Sequence, residues 1–256
     1  MNMPPLKYGS TTRVRAARWT HRCRAFTFVE LLVVLSVIAV LTAALLPSVP
    51  LARSKAQQAS CAMNLKELGV AWGMFYDEHD GWFLPALMPA KLPEMPANFP
   101  DDAKAPGVWW ARLVDLGYVG EEAEGPNGLF RCPTDPKPVR APHGGKTYSL
   151  SYGYSDCFGY PYSTNPNWPK SGSYGLKRRD RIRKRPGRTP VMVELADCGN
   201  KGRLMVISLG GYGTWPLSKW IHFPHDGTGN VLYDDGSVVA ELADGPLATV
   251  TAQDCF

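Results

Sequence analysis

The chain has 256 residues, 45% apolar and 20% charged, which excludes a wholly disordered or collagen-like polymer and leaves room for one or two domains. Its 25 glycines and 23 prolines point to much loop and turn. The net charge of +5 is concentrated: residues 1–25 hold Lys7, Arg13, Arg15, Arg18, Arg22 and Arg24 and no acid, leaving 22 basic against 23 acidic residues elsewhere. A near-neutral remainder argues against a nucleic-acid partner.

From Phe26 to Leu46 the chain reads FTFVELLVVLSVIAVLTAALL, with 17 of 21 residues apolar and Glu30 as the single charge. A helix of that length spans about 31 Å, close to a bilayer core. Arginines before the run place residues 1–25 in the cytoplasm and the rest beyond the inner membrane, on its periplasmic side. A secretory signal peptide has a shorter apolar region followed by a small-residue cleavage site. A simple signal anchor has no use for a buried carboxylate, which costs a few kcal/mol and calls for a partner. A free amine at Phe26 would be that partner, and it exists only if the chain is cut between Ala25 and Phe26.

Those residues carry a resemblance. Ala25-Phe26-Thr27-Phe28-Val29-Glu30, preceded by Arg22 and Arg24 and followed by LLVVLSVIAVLTAAL, resembles the prepilin processing site of type IV pilins and type II secretion pseudopilins. The resemblance implies that a prepilin peptidase removes a leader ending at Ala25, where the family usually has Gly, and N-methylates Phe26. It makes Glu30 the charge partner in assembly with other pilin-like subunits. Methylation leaves the amine charged, so the pair survives it.

Pro47 and Pro50 each remove a helix hydrogen bond and should loosen or kink the helix. Beyond them, Cys61, Leu65, Leu68, Trp72 and Phe75 recur at helical spacing, predicting an amphipathic helix over 52–79 with Gly81 as its stop. Eleven prolines between Pro85 and Pro142 predict a long irregular connection, broken by one short helix near Val108–Leu116. Short apolar runs at Val191–Leu195, Leu204–Ser208 and Trp220–Phe223 read as strands. Asn230–Tyr233 and Ser237–Leu242, around Asp234-Asp235-Gly236, read as a hairpin. The expected fold is α+β and pilin-like, a long N-terminal helix packed on an antiparallel sheet. Its parts are a leader (1–25), a membrane helix (26–50), the amphipathic second half (51–80) and a head (81–256).

His225, nine residues, then Asp235-Gly236 is similar to the C-terminal signature of a large pilin-like group. Cys61-Ala62-Met63-Asn64-Leu65-Lys66, Arg131-Cys132-Pro133-Thr134-Asp135-Pro136 and Ser151-Tyr152-Gly153-Tyr154 resemble that group's internal motifs. Cys61 and Cys132 both fall in such motifs, which makes them the preferred disulfide. Loss of Cys23 with the leader leaves five cysteines, an odd number in an oxidising compartment.

Two further features stand apart. His222 and His225 with Asp234 or Asp235 could approach one ion, but Pro224 breaks any helical face. The plainer reading has His225 and Asp235 locking the hairpin turn. No D-x-D-x-D-G calcium loop occurs, so neither metal nor cofactor is expected. Lys177–Arg188 holds eight basic residues and one acid, and Arg178, Arg179, Arg181 and Arg183 could contact an acidic polysaccharide or DNA. That gives an alternative function, a membrane-tethered binding domain. Without G-x-S-x-G, P-loop or H-E-x-x-H motifs, an enzyme is not expected.

Overall fold

The computed structural model describes residues 26–88, 101, 106–120, 125, 128–155, 158, 178, 189–194, 206–207, 224–225, 227–242 and 245. Contacts divide the chain into two compact units, one up to Val49 and one from Pro50 onward.

The first unit is helix α1 (Phe28–Leu45), followed by a short 3-10 turn at Leu46–Ser48 that contains Pro47. None of the helix's side chains is buried. The helix is long and apolar enough to cross a membrane by length and composition. Its start is set by a capping box: the Thr27 hydroxyl accepts from Glu30 N, and Glu30 reaches back to Thr27 N.

The second unit begins within the first turn of α2 (Val49–Glu78), at Pro50, which removes a donor the helix would leave unused. Cys61, Leu65, Leu68, Trp72 and Phe75 are all buried, as their spacing predicts. Each apolar side chain of that stripe contributes roughly 2 kcal/mol by leaving water. The helix ends when Asp80 takes a left-handed conformation (φ 52°) and Gly81 N donates to Tyr76 O at 2.8 Å. Gly81 is left-handed too (φ 77°), so the glycine the sequence suggests as the stop turns the chain together with Asp80.

A five-stranded sheet takes the stripe. Its order is β7 (Val206–Ile207), β5 (Tyr152–Ser155), β6 (Pro190–Glu194), β8 (Thr228–Tyr233), β9 (Val238–Leu242). Neighbours are antiparallel except β7, which pairs parallel with β5. The α+β arrangement of a long N-terminal helix with antiparallel sheets is thus observed. Close approach of α2 to the sheet shows at Gly69, where an added Cβ would lie 2.8 Å from Leu232 Cδ1. Trp72 Nε1 donates to the Tyr154 hydroxyl at 2.8 Å, tying helix to β5 through a buried polar contact.

The proline-rich stretch is less irregular than its composition suggests. Two-residue strands β1 (Leu87–Met88) and β2 (Gly107–Val108) pair, α3 (Trp109–Asp115) buries Trp109, Trp110 and Leu113, and β3 (Val139–His143) forms a hairpin with β4 (Lys146–Leu150). The expected strand at Trp220–Phe223 lies outside the described residues.

Candidate functional site

The first candidate region is the start of α1. Thr27 N and Oγ1 both donate to Glu30 Oε2, at 2.8 and 2.9 Å, so the carboxylate is held by its own helix turn. Phe26 is exposed beside it, and Ala25 lies outside the described residues.

The second lies inside the head, where four separated segments converge. Cys61 of α2 and Cys132, in the loop before β3, are joined by a disulfide with Cα atoms 5.0 Å apart. Hydrogen bonds from Asp135 N to Cys132 O and from Ser151 N to Phe130 O hold that loop. Asn64, one turn along α2, donates to Arg131 O at 2.8 Å.

Against the disulfide sits a buried carboxylate that the sequence did not single out. Glu194 closes β6 and is 1% exposed. Its Oε2 accepts from Asn230 N at 2.9 Å, and its Oε1 accepts from Asn230 Nδ2 at 3.0 Å and faces His225 Nε2 at 3.2 Å. His225 Nε2 is also 3.6 Å from Cys132 Sγ. Gln58 on α2 donates to Thr228 Oγ1, and its carbonyl accepts from Asn230. Tyr152, paired with Glu194 across β5 and β6, points its hydroxyl at Cys61 O. Burial first, then the Glu194 charge, push that phenol well above its usual value of 10.

The nine-residue spacing acquires a physical meaning here: Asp235 does hold the hairpin turn, while His225 lies at the other end of the strand, so the two neither lock one turn together nor approach one ion. His225 precedes β8 and Asp235 follows it. The six-residue strand between them spans roughly 20 Å at about 3.3 Å per residue, so the two side chains serve opposite ends of β8. At one end, His225 and Thr228 exchange backbone hydrogen bonds and His225 meets Glu194. At the other, Asp234 Oδ1 accepts from Thr189 N and Asp234 N donates to Thr189 O. The segment therefore grips β6 at both ends. Gly236 (φ 77°) completes the hairpin turn, donating to Tyr233 O, a conformation that only glycine adopts without strain. Asp235 accepts from Ser237, whose hydrogen bonds hold its carboxyl below the usual range.

The basic segment is described at one residue only. Arg178 donates to Asp80 O at 2.9 Å and lies over the Trp82 ring at 5.6 Å, a structural use beside the helix end. Arg179, Arg181, Arg183 and His222 lie outside the described residues.

Comparison with known families bears on the first region. Residues 20–46 match the prokaryotic N-terminal methylation motif. The motif covers the end of the basic segment, Phe26, Glu30 and all of α1, and it supports a type IV pilin-like protein anchored by its N-terminal helix. It implies processing by a prepilin peptidase and association with other pilin subunits, and it points to a structural subunit rather than an enzyme. Neither the curated proteins nor the solved structures give a match. The buried cluster in the head lies outside the matched residues.

Proposed function

We propose that the chain is a pilin-like structural subunit of an envelope filament or of a type II secretion pseudopilus. The observation that carries this reading is the methylation motif over residues 20–46, set on a helix whose one carboxylate lies in its first turn. A prepilin peptidase cuts between Ala25 and Phe26 at the cytoplasmic face, and Phe26 becomes an N-methylated, charged terminus. The head then lies on the periplasmic side.

In a lone subunit Glu30 is satisfied by Thr27. In an assembly, the Phe26 amine of a neighbour offers a full positive charge in place of neutral donors, and in lipid that difference is large enough to direct packing. The disulfide and the Glu194 cluster tie α2, the loop before β3, β6 and β8 together in the head.

Glu30→Val tests this reading. The variant should be cleaved and remain in the membrane but fail to assemble; normal polymerisation would overturn it. The acidic-polymer alternative draws no support from Arg178, whose guanidinium is engaged with Asp80 and Trp82.

A further inference from the structure

The disulfide does not need a buried imidazole and carboxylate beside it. Yet Cys61 Sγ, Cys132 Sγ, His225 Nε2 and a Glu194 oxygen all lie within 4.8 Å of one another, and all four residues are buried. They come from α2, the loop before β3, the segment before β8 and the end of β6, so the fold itself assembles the set.

The distances fit a particular occupant. A tetrahedral zinc with sulfur at about 2.3 Å and nitrogen or oxygen at about 2.05 Å sets ligand-to-ligand edges of roughly 3.5 Å for sulfur–nitrogen and 3.3 Å for nitrogen–oxygen. Cys132 Sγ to His225 Nε2 is 3.6 Å, and His225 Nε2 to Glu194 Oε1 is 3.2 Å. The two sulfurs are bonded to each other, and that edge must open to about 3.8 Å once the bond is reduced. Asn230 holds the carboxylate through both oxygens, as an outer support for a ligand should. His225 Nδ1 is buried with no hydrogen-bond partner among the described residues.

We propose that, once the Cys61–Cys132 bond is reduced, Cys61, Cys132, His225 and Glu194 bind one zinc ion in tetrahedral geometry. Reduction by a phosphine consumes one water, yields the phosphine oxide and leaves two thiols; in a cell a dithiol supplies the same two electrons and two protons. Zinc then displaces both thiol protons and takes the Nε2 lone pair and one carboxylate oxygen. Two sulfurs with one imidazole favour zinc over calcium or magnesium, which take oxygen donors. The disulfide and the metal are thus alternative cross-links between α2 and the loop before β3, one for oxidising and one for reducing conditions.

The test uses the full chain in mild detergent, reduced anaerobically with a phosphine and titrated with Co2+ and then Zn2+. One cobalt per chain should give the visible bands of a tetrahedral site with thiolate charge transfer and release two protons, and zinc should then bleach those bands by displacing the cobalt. The oxidised chain should give none of this. Cys132→Ser should abolish the spectrum, and Glu194→Gln and His225→Asn should weaken binding by about tenfold or more while circular dichroism remains unchanged. Cys61→Ser/Cys132→Ser controls for thiols elsewhere in the chain. A folded, reduced chain that takes up no metal, or whose spectrum survives Cys132→Ser, overturns the proposal. So does a loss of fold on reduction that zinc does not reverse.

Discussion

Replacing Cys61 and Cys132 by alanine removes a cross-link that closes a long loop. The two residues are 71 positions apart in sequence. The chain-entropy relation for a loop of that size gives about 4.4 kcal/mol at 25 °C, and measured losses for native bridges commonly fall between about 2 and 5. Both half-cystines are buried at the junction of α2 with the loop before β3, so no solvent-exposed slack absorbs the change. The assay is guanidinium unfolding of the chain in mild detergent with a chelator present, followed by the fluorescence of tryptophans such as Trp72 and Trp109. With a slope near ~4 kcal/mol per molar, the midpoint should fall by roughly 0.5–1 M. Each single variant should lose about as much as the double variant, since either one removes the whole bond, and reductant should bring the unsubstituted chain to the same midpoint. Losses that are small and additive would refute the reasoning, because they would mean that the two sulfurs act separately.

Two helix glycines should respond in opposite directions to alanine. Gly69→Ala puts a methyl 2.8 Å from the fully buried Leu232 side chain, and its overpacking cost of about 1–3 kcal/mol exceeds the gain in helix propensity. Gly73→Ala meets nothing nearer than Tyr76 at 3.8 Å and should stabilise by roughly 0.5–1 kcal/mol; unfolding midpoints that rank the two the other way would contradict the helix–sheet contact. Tyr152 gives a pH dependence. Its phenol keeps its proton in the folded chain above pH 10, where the unfolded chain loses it, so stability should fall as pH rises above about 10. Tyr152→Phe should flatten that fall, and an unchanged slope would contradict the burial of the hydroxyl beside Glu194.

The parts of the fold legible in the sequence are those written by local rules. The Cys61–Phe75 stripe follows the helix period, and Asp234-Asp235-Gly236 carries its own turn chemistry, so both could be read without knowing their neighbours. The β3–β4 hairpin was missed because Pro138 and Pro142 dominate its surroundings. Its signal was Gly144-Gly145, both with positive φ, as a two-residue hairpin turn requires. Glu194 was missed for a different reason. It interrupts the apolar run Val191–Leu195 one residue before its end and looks like part of an ordinary strand, and only pairing with Asn230 and His225, distant in sequence, reveals its burial. The same applies to His225 and Asp235. Their spacing was visible, but whether they meet or bracket a strand depends on β8 being fully extended between them.

Mass spectrometry of the native protein's N-terminus tests the central claim most directly. Recovered from membranes, the mature chain should begin at N-methyl-Phe26 and retain Leu31–Leu46. It should lack Cys23 and the six basic residues before Phe26. A mature chain that begins after Leu46 would mean that the apolar run is discarded as an export signal, and the pilin-like account would be contradicted.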